Sequence, residues 1–266
     1  MQKISELKTD NLVYNHLIYD KEAERRFAMH SHSFVELIYV VKGEVAYTIE
    51  DRKFVARQGE LIMLKPHAYH FFTIQNQQDY EKIGILFHQE LIDITDVVRE
   101  YFIILQCRNG RIRDILNKLE FYYHNCPEPV FTELLLSLTK EIVINVRHFS
   151  QQYTASPADP IHPQVERAIE YIHENLTSLN TIQELASHLA VSESHIKALF
   201  RDHLHVTPKK YITEKKLLLA RSMITNGTSP TQVALHCGYS NYVTFYRLYL
   251  KYFGTKPADD YQQNKG

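Results

Sequence analysis

Three histidines and one glutamate concentrate the reactive chemistry of this chain. His30 and His32 stand two apart in MHSHSFVELIYVVKG (29–43), Glu36 shares their parity, and His70 closes GELIMLKPHAYH (59–70). Alternate residues of a β-strand point to one face, so two imidazoles and a carboxylate would project together. Such a set can do three things. It can bind Fe(II), Mn(II), Ni(II) or Zn(II), as N/O donors do. It can hydrogen-bond a polar organic ligand such as a sugar or an acid. It can also be no more than polar side chains satisfying one another inside a β-domain. The expected role of His30, His32, Glu36 and His70 is ligand binding, with metal as the alternative and no resident cofactor.

A second constellation is cationic and lies in the last third. Residues 182–201 and 230–251 carry one pattern twice: Ala186 matches Ala234, Ala190 matches Gly238 and Ser192 matches Ser240, each pair 48 apart. After a one-residue insertion, Ile196 matches Phe245, Leu199 matches Leu248 and Pro208 matches Pro257. Each copy reads as a short helix, a tight turn, a capping Ser and a second helix. That is a helix-turn-helix, whose second helix can enter a DNA major groove. The first reading helix is expected over 192–203, with Ile196, Leu199 and Phe200 inward. Ser192, Ser194, His195, Lys197, Ala198 and Arg201 remain for DNA. The second is expected over 241–252, with Phe245, Leu248 and Tyr249 inward. Asn241, Tyr242, Val243, Thr244, Tyr246, Arg247 and Lys251 are left outside. Polar and apolar tips suit base edges, and cations suit phosphates. The segment 208–224 between them predicts a helix of about 24 Å at 1.5 Å per residue. It would set the two reading helices about one DNA turn, ~34 Å, apart. Lys209, Lys210, Lys215, Lys216 and Arg221 on it are candidate phosphate partners.

These groups need elements to hold them. Strand-like runs recur at 11–19, 35–41, 45–49, 61–64, 70–74 and 82–87, separated by turn residues, as in a sandwich or small barrel. The period then becomes helical. Ile112, Ile115, Leu116 and Leu119 share one face of a helix over 111–122, and Leu134, Leu135, Leu138, Ile142 and Val146 share one over 131–147. They are expected to cover the β-domain, with dimerisation as a second use. The stretch SQQYTASPADPIHP (150–163) reads as a linker. A further helix follows from Pro163, and Asn180 or Thr181 caps the first helix of the repeat. The expected architecture is therefore two-domain α+β: residues 1–155 sensing, 156–162 linking, and 163–266 an all-α double helix-turn-helix domain. Residues 1–20 are expected to form a mobile arm near the pocket.

Charge supports the division. The 266-residue chain has a formal net charge of −1. Residues 1–160 hold 18 Lys/Arg against 22 Asp/Glu, whereas residues 181–258 hold 10 against 4. This asymmetry suits a protein of which one half meets phosphates. Cys107, Cys126 and Cys237 form no CxxC pair and read as reduced thiols. No apolar run approaches the ~18 residues of a membrane span, and MQKISELKTD lacks the apolar core of a signal peptide; a cytoplasmic location is expected.

Residues 163–261 resemble the DNA-binding domain of AraC/XylS-family transcription regulators. The resemblance rests on Leu185-Ala186, VSxSxIxxLF (191–200), Tyr211, KLxxA (216–220), Val233-Ala234, Gly238-Tyr239-Ser240 and FxxxxLKYFGTKP (245–257). The family often has Arg where Lys216 stands, a longer polar residue at Ala198, and an Arg near Tyr261-Gln262. The HxHxxxE…G and G…P…H patterns resemble the two cupin motifs, which implies a cupin-like β-barrel around a small-molecule pocket. Together these imply a sequence-specific regulator, bound to promoter DNA and controlled by an effector such as a sugar or organic acid. RNA polymerase contact and a homodimer are further expectations. A metal-cupin enzyme and a protein-binding adaptor are the rivals; no catalytic residue is expected.

Overall fold

The computed structural model describes residues 2–19, 30–50, 52–74, 79–98, 101–107, 110–149, 154–155, 159–160 and 162–262. The chain divides into two compact units, Met1–Asp159 and Pro160–Gly266. Residues 156–158 and 161 of the expected linker lie outside the described residues.

The first unit is built on strands β1 (Gln2–Lys8), β2 (Leu12–Tyr19), β3 (Val35–Lys42), β4 (Glu44–Ile49), β5 (Arg52–Arg57), β6 (Glu60–Leu64), β7 (His70–Ile74), β8 (Tyr80–Phe87) and β9 (Phe102–Gln106). Short strands β10 (Thr154–Ala155) and β11 (Asp159–Pro160) complete two sheets, ordered β1-β2-β8-β3-β6-β9-β10 and β11-β5-β4-β7. Among the described residues the strands close no single ring; the enclosure expected of a barrel comes from two sheets face to face. Ile38, Val40 and Tyr80 of one meet Val45, Tyr47 and Phe54 of the other in a shared core.

The opposite face of the larger sheet is covered by helices α1 (Arg111–Asn125) and α2 (Glu128–Phe149). Leu37, Tyr39 and Ile85 pack there against Ile115, Leu119, Leu135 and Ile142. Strand β3 is therefore covered on both sides, which explains why VELIYV is buried at all six positions rather than at alternate ones. The inward face of α2 is the expected one at four of its five positions and extends to Phe131 and Val143. Phe131, Leu135, Leu138, Ile142, Val143 and Val146 are buried, whereas Leu134 is only half-buried.

Residues 2–8 are not an arm. They form β1, antiparallel to β2, with Leu7 opposite Tyr14. A polar fastener ties this hairpin to α1. The His16 ring donates to Glu120 (2.9 Å) and to Glu81 (2.8 Å), Ser5 donates to Glu120 (2.9 Å), and so does the Tyr14 hydroxyl. Burial alone would lower the proton affinity of His16, but its hydrogen bonds to the two carboxylates outweigh this and the net direction is up. For Glu120, burial raises the pKa, and the bonds from His16 and Tyr14 more than reverse it. The contribution of Glu120 is present above its unfolded value of about 4.3 and is lost as pH falls through the lower folded one. That of His16 is complete below about 6.5 and is lost as pH rises through the higher folded one. Amide exchange in β1, corrected for its intrinsic pH dependence, should report easier opening above neutral pH, and His16→Phe should abolish that trend. A wild-type β1 whose opening ignores pH would remove His16 as the fastener.

The second unit comprises α3 (Pro163–Glu174), α4 (Ile182–His188), α5 (Glu193–Leu199), α6 (Pro208–Thr225), α7 (Pro230–His236), α8 (Tyr242–Phe253) and α9 (Pro257–Gln262). The first reading helix is shorter than expected, because α5 gives way to a π-helical turn at Phe200–Leu204. Helix starts follow capping chemistry. Thr181 caps α4, its Oγ1 accepting from Glu184 N (3.2 Å) and its hydroxyl donating to the Glu184 carboxylate (2.8 Å). Ser192 accepts from His195 N, Thr207 from Lys210 N, and Asn241 from Val243 N. In the second module Leu217, Ala220, Val233, Phe245 and Tyr249 form the core.

The two turns of the repeat share a left-handed residue, Ala190 (φ 55) in the first and Gly238 (φ 79) in the second. Only the second demands glycine on steric grounds. A Cβ at 238 would stand 3.0 Å from the Thr177 carbonyl oxygen and 3.1 Å from Lys216 Nζ.

Candidate ligand pocket and nucleic-acid interface

Glu36 projects from β3 into the space between the sheets and is 6% exposed. The isolated bridge between His30 and His70 brings the two histidine motifs together, through His30 N to His70 O (3.1 Å) and His70 N to His30 O (2.9 Å). The ring nitrogens Nε2 of His32 and His70 lie 3.0 and 3.1 Å from Glu36 Oε2. Lys82 Nζ stands 3.7 Å from Glu36 Oε1. Burial pushes the Glu36 carboxyl up, but the hydrogen bonds from His32 and His70 and the Lys82 charge outweigh it and hold the group well below the usual range.

The structure thus gathers all four expected residues and adds Lys82. That residue was missed because it begins the apolar run KIGILF (82–87), where a lysine reads as a strand end. Pairing decides otherwise: Lys82 sits opposite Val40 of β3 and Leu17 of β2, is buried, and has Phe72 5.5 Å from its ammonium. Tyr47 and Tyr80 share a hydrogen bond of 2.9 Å in the same core, and burial raises both phenols; Tyr19 is pushed up to about 12.

The outer Nδ1 of each ring meets a carbonyl, His32 with Phe34 O (3.2 Å) and His70 with Ala68 O (2.9 Å). A carbonyl only accepts, so Nδ1 carries the proton and Nε2 faces the carboxylate. Two uses fit this orientation. With Nε2 also protonated, the rings and Lys82 form a ring of donors around one carboxylate. With Nε2 bare, one ligand atom each from His30, His32 and His70 lie within 4.8 Å of one another, close enough to share a metal ion.

In the second unit the outer faces of α5 and α8 carry the expected groups. Ser192, Ser194, His195, Lys197 and Arg201 are exposed, and Ala198 is half-buried. Lys197 is bridged to Glu193 (2.9 Å), Arg201 to Asp202 (2.8 Å), and His195 meets Gln164 (2.9 Å). On α8, Asn241, Tyr242, Val243, Thr244, Arg247 and Lys251 are exposed. Val243 is 53% exposed and presents an apolar tip to solvent in the first turn of α8. Among the described residues no ion pair or hydrogen bond engages the Arg247 or Lys251 side chain. The two reading faces are therefore unequal: the first holds its cations in local pairs, and the second presents them open.

On α6, Lys209 and Lys210 are exposed, with Lys210 3.8 Å from Glu214. Three other cations are not the solvated helix charges that their spacing suggested. Arg221 donates to the buried Asp260 (3.0 Å), which also accepts from Tyr249 (2.6 Å), and its guanidinium lies 4.8 Å from the Phe253 ring. It closes the second module. Lys215 is buried with its ammonium 5.3 Å from the Tyr211 ring. Lys216 is 7% exposed and is no solvated surface cation. An 18-residue helix packed between two modules turns much of its circumference inward, so charge alone misplaced these side chains.

Comparison with known proteins agrees with both halves. Residues 15–138 match the family described as the AraC-like ligand binding domain, and residues 185–263 match a helix-turn-helix domain family. An uncharacterized HTH-type transcriptional regulator, YfiF of Bacillus subtilis, is 25% identical over 86% of this chain and 77% of its own. The raffinose operon transcriptional regulatory protein RafR of Pediococcus pentosaceus is 25% identical over 77% of this chain and 76% of its own. The HTH-type transcriptional regulator ArgR of Pseudomonas aeruginosa is 31% identical over 40% of this chain and 32% of its own. With a β-domain that encloses a polar cluster and a doubled helix-turn-helix unit both matched in place, the chain belongs to the AraC/XylS family of transcription regulators, joining a ligand-binding domain to a DNA-binding one.

Proposed function

We propose that the effector is a small organic acid held at the Glu36 cluster, and that α8 dominates the reading of DNA while α5 mainly positions it. The observation that carries the first part is the excess of donors. His32, His70 and Lys82 converge on a single buried carboxylate, so a ligand bringing a second carboxylate or a phosphate balances the site. A neutral sugar, which the name of the raffinose-operon relative suggests, is the alternative. A thermal-shift panel of organic acids against neutral sugars on the full chain decides between them. The metal reading is supported by the converging His30, His32 and His70 atoms; a stoichiometric Zn, Mn, Ni or Fe content in purified protein would favour it.

The chain acts without catalysis, in the cytoplasm, on promoter DNA. No helix among the described residues is long and apolar enough to cross a membrane. Phe121, Val130 and Ile144 leave apolar surface exposed on α1 and α2, which supports a homodimer through these helices. Contact with RNA polymerase completes the proposed activity. Effector changes output because it binds one arrangement of the protein more tightly than another. Mobility-shift titration against genomic promoter fragments tests the DNA half. Specific complexes should weaken steeply with salt, the log–log slope following the number of phosphates contacted. Equal affinity for promoter and random DNA at physiological salt would overturn it.

A further inference from the structure

A cleft of about 440 Å³ lies between the two helix-turn-helix modules, walled by Asn180 and Ile182 of the first, Ile212 and Lys216 of α6, and Gly238 and Tyr239 of the second. Its volume is in the range of small-molecule sites. Two polar groups in it are incomplete. Lys216 is 93% removed from solvent, and among the described residues no hydrogen bond or ion pair engages its ammonium. The Tyr239 hydroxyl is buried without a hydrogen-bond partner. A buried cation without a counter-charge is costly, and burial accordingly lowers its pKa, against the weak opposing influence of Cys237 and Glu184.

Space is kept in front of this cation. A Cβ at position 238 would lie 3.1 Å from Lys216 Nζ and 3.2 Å from Asn180 Oδ1, so the glycine leaves the approach open. Ile182 and Ile212 give the same cleft apolar wall; Lys209 adds a further cation along it, while Lys197 is bridged to Glu193, which also lines the cleft.

We propose that this cleft is an oxyanion-binding site separate from the Glu36 cluster. Lys216 and the Tyr239 hydroxyl take a phosphate or carboxylate group, and Ile182 and Ile212 take an apolar body attached to it. The oxyanion comes from one of two sources, a free amphipathic organic anion or the DNA backbone. A free anion seated there would exclude DNA, because Lys197 and Lys209 line the cleft; this consequence rests on their proposed role as DNA contacts.

The test uses the full chain and octyl phosphate, with octanol as the uncharged control, at constant ionic strength. Lys216→Met keeps the length of the side chain and removes the buried charge, so folding is retained; Tyr239→Phe removes only the hydroxyl. Calorimetric titration without DNA should show octyl phosphate binding to the wild type, weakened about tenfold or more by Lys216→Met and less by Tyr239→Phe, in line with loss of a charge-assisted bond. Octanol should not distinguish the proteins. Displacement of promoter DNA by octyl phosphate from the wild type but not from Lys216→Met identifies the free anion as the source. If octyl phosphate does not bind, a salt slope for DNA reduced by about one in Lys216→Met identifies the backbone phosphate instead. Equal octyl phosphate affinity in wild type and Lys216→Met overturns the proposal, as does absence of both probe binding and a slope change. A wild type that binds the probe yet fails to prefer promoter DNA would sink the DNA reading alone.

Discussion

Arg247→Ala should weaken binding to the preferred DNA site by about 1–3 kcal/mol and relax preference at one base position. The expectation follows from its setting. Arg247 is exposed on the outer face of α8, and among the described residues no hydrogen bond or ion pair engages its guanidinium. Lys197→Ala on α5 should do less, because that lysine already spends its charge on Glu193 at 2.9 Å. Exposed pairs of this kind contribute at most about 1 kcal/mol, so the comparison is one of degree. Competition binding over all single-base variants of the site reads both quantities. An equal loss of affinity on every sequence would reassign Arg247 from a base to a phosphate.

Glu36→Gln should destabilise the first unit by about 3–5 kcal/mol, the usual consequence of removing one partner from a buried ion cluster. The isosteric amide fills the same space, but with its oxygen towards the two imidazoles it turns an NH2 donor towards Lys82, and in either orientation it leaves Lys82 without its counter-charge. The effector response should be lost while the second unit retains DNA binding, since its core, of Phe245 and Tyr249 among others, is its own. Chemical denaturation of the full chain, followed by separate probes in the two units, checks the first outcome; promoter binding with and without effector checks the second. A Glu36→Gln protein with wild-type unfolding and wild-type response would remove the carboxylate from both roles.

Local pattern carried a good deal of this. Six of the strand runs stand where alternation and turn residues put them, and the capping residues Thr181, Ser192 and Asn241 start their helices as their side chains dictate. Strands β1, β5 and β9 were not legible. QKISELK is largely polar at a sheet edge and RKFVAR, between β4 and the two-residue edge strand β11, is half polar; their strand character comes from a neighbour's hydrogen bonds rather than from their own period. The extension of the α2 face to Phe131 and Val143, with Leu134 at its margin, has a similar origin: a helix with apolar residues over more than one stripe leaves the limits of the buried side to what it packs against.

The sequence by itself determined the repeat, and with it the paired helix-turn-helix modules. It also determined the shared parity of His30, His32 and Glu36 and the charge division between the halves. Each depends on spacing along the chain, which folding preserves. Tertiary structure alone decided that Lys82 completes the Glu36 cluster, that Arg221 belongs to Asp260, and that Lys216 stands in a cleft rather than in solvent. A lysine or arginine has the same local signature whether it ends in water, on a carboxylate or behind a glycine. Its long side chain reaches partners brought together only by folding, and burial of charge is a property of those partners and not of the sequence beside it.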